Sequence, residues 1–101
     1  MPGAVTSIAL SGIASGTKRI EAASHNIANL QTEDFHPLRV RQSARAEGGS
    51  IAEVERAPEP EPVSLAHELI ESELAAVQIK ASARMAETDL EILGSLLDIL
   101  A

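Results

Sequence analysis

From residue 65 to residue 100 the chain reads LAHELIESELAAVQIKASARMAETDLEILGSLLDIL. Leu65, Leu69, Ser72, Ala76, Ile79, Ala83, Ala86, Leu90, Leu93, Leu97 and Leu100 follow one another there at alternating steps of four and three. That spacing keeps small and aliphatic side chains on one side of an α-helix, as in a coiled-coil seam. Ser64 stands where an N-cap belongs, and Glu68 and Glu71 fall in or near the favourable first turns. The pattern predicts a helix from Ser64 to about Leu100, roughly 54 Å long. Met85, Ile92, Leu96 and Ile99 lie beside the stripe, so the last turns are apolar around more than half their circumference. A helix with so wide an apolar face is covered on several sides, and these four residues are expected to face neighbouring subunits.

The amino end repeats the spacing. Ala9, Ile13, Gly16, Ile20, Ala23, Ile27 and Leu30 also alternate by four and three, predicting a helix from about residue 5 to residue 30. Gly12 and Gly16 cost such a helix on the order of 1 kcal/mol each relative to Ala, and close approach of a second helix offsets that cost. Between the two patterns, periodicity is lost. Pro37 interrupts any helix, Gly48-Gly49-Ser50 is a flexible point, and Ala57-Pro-Glu-Pro-Glu-Pro62 is an extended, charged spacer. Residues 38–41 and 51–54 have too little apolar alternation to assign strands. The expected fold is therefore all-α. Two long helices form an antiparallel coiled-coil hairpin, 1–30 and 64–101, joined by an extended, largely irregular linker, 31–63. Ile13, Gly16, Ile20, Ile27, Ile79, Leu90, Leu93 and Leu97 are its expected seam.

Composition narrows the function. The 101 residues are 45% apolar but include a single aromatic, Phe35, and no Cys, so a compact core would be thin and unstapled. Residues 1–45 carry five basic and three acidic side chains, net +2, and residues 46–101 three basic and twelve acidic, net −9. An acidic chain without a basic-aromatic face is a poor nucleic-acid binder; the asymmetry suits attraction between its halves or between copies. No apolar run is long enough for an integral membrane span, and Lys18 and Arg19 follow rather than precede the apolar start, unlike a secretory signal peptide. His25, His36 and His67 form no cluster at metal-ligand spacing, and His67 with Glu71 is an ordinary helical surface pair. No nucleophile elbow accompanies the Ser, His and Asp residues. Neither catalysis nor a metal nor a cofactor is expected.

One stretch carries a resemblance. In Ser24-His-Asn-Ile-Ala-Asn-Leu-Gln-Thr-Glu-Asp-Phe35, Asn26, Ile27, Ala28, Asn29, Thr32 and Phe35 match the amino-terminal signature of bacterial flagellar axial proteins, the rod, hook and hook-associated family. The preceding helix pattern is similar to that family's first helix, and Thr88, Leu93, Leu96 and Leu97 match its carboxyl-terminal signature. The chain resembles the short proximal rod proteins and departs from longer members in lacking a β-rich middle domain. It also has Asp34 where a Gly commonly precedes the aromatic, and Ile79 where an aromatic is common.

The resemblance implies a self-assembling structural subunit of the basal-body rod or another axial segment. Its partners would be other copies, other flagellar axial proteins and the type III export apparatus, its location the periplasmic rod, reached without a cleavable signal peptide. Asn26 and Asn29, which suit local backbone bonding at a helix end, would also bridge to a neighbouring subunit. The alternative is a soluble helical-hairpin regulator or export chaperone that holds a partner protein.

Overall fold

The computed structural model describes residues 2–100, with side chains for 4–100. Four elements follow in order: α1 (Pro2–Ala28), β1 (Leu38–Ala44), β2 (Ser50–Arg56) and α2 (Leu65–Leu100). They form three layers 64 × 24 × 13 Å across. Helix α1 is the middle layer, with α2 antiparallel along one side and the two strands on the other; neither strand packs on α2. Pro2 is suited to a first helical turn, where its missing N–H costs nothing. At the start of α2, Ser64 acts as the cap: its Oγ accepts from the His67 N–H at 3.2 Å, and its carbonyl accepts from the Glu68 N–H at 3.0 Å.

The all-α expectation is overturned by β1 and β2, which pair antiparallel from Leu38↔Arg56 to Ala44↔Ser50 and make the class α+β. The segment expected as irregular linker thus holds a hairpin. Its outer face explains why: Arg39 lies opposite Glu55 and Arg41 opposite Glu53, opposite charges on facing positions. Arg41 also bonds diagonally to Glu55. That hydrogen bond, and then the carboxylate's charge, hold the Arg41 pKa above its usual value. The inner face carries Val40 opposite Val54 and a buried Ala52. At the turn, the Gly48 N–H reaches the Arg45 carbonyl at 3.1 Å. Gly48 (φ 100°) and Gly49 (φ 88°) lie in the left-handed region that glycine tolerates. A Cβ on Gly49 would also stand 2.4 Å from Ser11 Oγ, so the turn sits directly on α1.

The hairpin is tied to α1 largely through side chains that reach its backbone. Ser11 Oγ accepts from the Ser50 N–H at 3.1 Å, and Lys18 Nζ donates to the Ala52 carbonyl at 3.0 Å. Below the strands, the proline-rich segment folds back on the chain. The Glu61 N–H reaches the Phe35 carbonyl at 3.1 Å, His36 Nδ1 donates to the Ala57 carbonyl at 2.8 Å, and Arg39 pairs with Glu61. Among the described residues, the buried apolar side chains are Ala9, Ala22, Ala23, Ala52, Ala57 and Ala75, with Pro37 beside them. A core made of alanines brings backbones close but removes little apolar area from water.

Candidate assembly surface

Three elements meet at Asn26. This residue, 2% exposed, faces the edge of β1 and completes it as a neighbouring strand would. The Leu38 N–H donates to Asn26 Oδ1 at 2.8 Å, and Asn26 Nδ2 donates to the Leu38 carbonyl at 2.8 Å. Nδ2 also reaches the carboxylate of Glu68 on α2, at 3.1 and 3.3 Å. A single amide therefore joins both helices and the hairpin, with its Nδ2 shared between the Leu38 carbonyl and Glu68. Asn29 works locally: its Nδ2 donates to the His25 carbonyl at 2.9 Å, and its Oδ1 accepts from Thr32 Oγ1 at 3.1 Å, closing the end of α1. Phe35 packs on the His25 ring with centroids 5.6 Å apart. Asp34 between them takes φ 52°, the left-handed conformation that Asp adopts more readily than most residues.

The α1–α2 seam is narrow. On α1, Ala9, Gly16 and Ala23 are buried, with Ile13, Ile20 and Ile27 half-buried between them. A Cβ on Gly16 would stand 2.7 Å from Ile79 Cγ1 and 3.3 Å from the Ala75 carbonyl, and one on Gly12 2.3 Å from Ser82 Oγ. On α2 the inward positions are Glu68, Ser72, Ala75, Ile79, Ser82, Ala86, Asp89 and Leu93. These also alternate by four and three, but every second one sits a residue earlier than in the leucine-rich pattern. Leu90 and Leu97, expected in the seam, are instead 58% exposed. The observed roll brings Glu68 to Asn26 and Asp89 to Thr6, while Gly12 and Gly16 let Ser82 and Ile79 approach α1 closely.

Polar groups on the seam are paired. Asp89 accepts from Thr6 Oγ1 at 2.6 Å, Gln78 Nε2 donates to the Gly12 carbonyl at 2.9 Å, and Arg19 reaches Gln78 Oε1 at 2.7 Å and Glu71 at 3.4 Å. Glu68, Ser82 and Asp89 escape a search for apolar spacing. Their signal is the parallel ladder of small and polar residues beside the leucines.

What remains uncovered is the outside of α2. Met85, Ile92, Leu96 and Ile99 are exposed, as are Ile70, Leu74 and Val77. Beyond Leu93 the helix outruns α1, and Gly94 has no atom near the place of a Cβ. Val5 stands beside Met85, Thr88 and Ile92 to form an open, apolar groove of about 380 Å³. A second groove of about 490 Å³, lined by Arg19, Glu71, Val40 and Gln42, runs along the edge of β1. Among the described residues, no three His, Asp or Glu side chains gather where they could hold a metal ion, and no helix is long and apolar enough to cross a membrane. No protein-family model matches the chain, and no curated protein matches it.

Proposed function

We propose that the chain is a structural subunit that self-assembles through its terminal helices, and that its setting is the bacterial flagellar rod or a related axial segment. The observation that carries self-assembly is the apolar outer face of α2, left open along its length while the intramolecular seam uses small and polar residues. A side this apolar is ordinarily covered by another molecule. Support for the axial setting comes from the motif residues. Asn26, Asn29, Thr32, Asp34 and Phe35 build the turn that ends α1 and anchors the hairpin and α2. Asp34 adopts the left-handed conformation at the position where the resembled family commonly has glycine.

The test is co-assembly with flagellar rod proteins, followed by sedimentation and electron microscopy. The expected result is incorporation of the chain, lost in Leu96→Asp without loss of helical circular dichroism. A chain that joins no axial protein and instead holds one soluble partner at fixed stoichiometry overturns the axial reading in favour of a regulator or export chaperone.

A further inference from the structure

The outer stripe of α2 reads the same in both directions. From Leu74 to Ile99 its exposed positions advance by steps of 3, 4, 4, 3, 4, 4 and 3, an average that keeps them on one side of a straight helix. Reversal about the point between Ala86 and Glu87 places stripe residue on stripe residue throughout. Leu74 meets Ile99, Val77 meets Leu96, Ala81 meets Ile92, and Met85 meets Thr88. Charges along one flank obey the same reversal. Lys80 and Arg84 precede the midpoint and Glu87 and Glu91 follow it, all on one side of the stripe at 100° per residue. In the reversed pair, Arg84 of one copy falls between Glu87 and Glu91 of the other, and Lys80 falls within a turn of Glu91. Glu73 and Asp98 are the like-charged exception, near the ends.

We infer that α2 pairs with α2 of a second copy of this chain, antiparallel, about a two-fold axis between Ala86 and Glu87. The stripe's middle is concave where Val5 rises beside Met85, Thr88 and Ile92, which seats the incoming helix against α1 as well. Eight half-exposed side chains over about 37 Å of helix bury on the order of 600 Å² per copy. That is the lower end of specific interfaces, where weak and reversible pairs lie. An isologous pair is closed: it leaves no stripe for a third copy, so it is a resting form that shields the apolar side before other partners compete for it.

The chain has no cysteine, so single-cysteine variants report unambiguously. Reversal brings residue 88 of the two copies within about 4.5 Å along the axis and sets residue 74 of the two about 37 Å apart. Light scattering across a concentration series is expected to show a monomer–dimer equilibrium. Under mild oxidation Thr88→Cys should become a covalent dimer and Leu74→Cys should not. Arg84→Glu should weaken the dimer about tenfold, since each side loses an opposite-charge contact and gains a like-charge one, and Arg84→Glu with Glu87→Arg should restore it. All variants should retain the parent's helical circular dichroism, since residues 74, 84, 87 and 88 are exposed.

A chain that stays monomeric at several hundred micromolar overturns the inference. So does cross-linking of Leu74→Cys as fast as Thr88→Cys, or a double variant no tighter than Arg84→Glu alone. The axial reading is separable: a monomer that still enters rods removes only the pair, and a dimer that binds no rod protein removes only the rod.

Discussion

Replacing Asn26 by Ala should be among the most destabilising single changes available to this chain. The substitution leaves three groups without their partner: the Leu38 N–H, the Leu38 carbonyl and the buried Glu68 carboxylate. A buried neutral group left unpaired costs about 1–3 kcal/mol, and a charged one more. Leu38 is only half-buried, so water recovers part of its loss, and about 1 kcal/mol for each backbone group is the appropriate end of that range. Glu68, 9% exposed, adds about 2 kcal/mol. The sum, about 4 kcal/mol, approaches the whole stability expected of a domain this size, roughly 5 kcal/mol at the low end. Urea unfolding followed at 222 nm measures it. Glu68→Leu in the same background supplies the control, because the double variant no longer buries an unpaired carboxylate. The two changes should therefore sum to less than their separate costs by about 1–2 kcal/mol. A loss below about 1 kcal/mol for Asn26→Ala, or simple additivity with Glu68→Leu, would refute the claim that one amide joins the three elements.

The glycines of the two helices should respond in opposite directions. Gly16→Ala drives a methyl group toward Ile79 and the Ala75 carbonyl and should cost about 1–3 kcal/mol by overpacking. Gly94→Ala meets open space and should gain up to about 1 kcal/mol from helix propensity alone, both read as shifts in urea midpoint. Asp34→Gly, at φ 52°, should stabilise by about 0.5–1 kcal/mol as the left-handed strain is relieved; an unchanged or lower melting temperature would show that the Asp side chain compensates for its backbone. Thr6→Val removes the donor to Asp89 and should cost about 1–2 kcal/mol, with hydrogen exchange accelerating first in the opening turns of α1.

The two helices are legible in the residues because each announces itself repeatedly: four-three spacing over six or more steps, Ser64 as a cap, Asn26 and Asn29 near an end. The hairpin is not, and the reason is chemical. Its buried face is thin, with Ala52 enclosed and Val40 half-covered, so apolar alternation barely rises above background. Its pairing is written instead in Arg39 and Arg41 against Glu53 and Glu55, placed symmetrically about the Gly48 turn, a signal that appears only once the strands are laid side by side. Asn26 was visible as a motif residue, but its partner Leu38 is strand backbone twelve positions along and has no sequence signature of its own. The rotation of α2 was illegible for a related reason. Two four-three ladders run down that helix, one rich in leucine and one small and polar, and spacing alone favours the more apolar. The polar groups of α1 decide for the other, since Asn26 and Thr6 find Glu68 and Asp89 only on that ladder.

Why a chain with 45% apolar residues encloses alanines and none of its larger aliphatics follows from the place of α1 between two layers. A helix packed on one side presents leucine and isoleucine inward and polar residues outward. A helix packed on both sides at close range has no side on which a large residue fits without separating a neighbour. Gly12, Gly16, Ala22 and Ala23 are its solution, and Ser11 and Ser15 satisfy the hairpin where carbon would not. The consequence passes to α2. Apart from Ile79 and Leu93, its large aliphatics stay out of so shallow a seam and lie outside on the longest element of the fold. The slimness that lets α1 hold the single chain together is thus what leaves α2 apolar toward solvent, the face on which the proposed pairing rests.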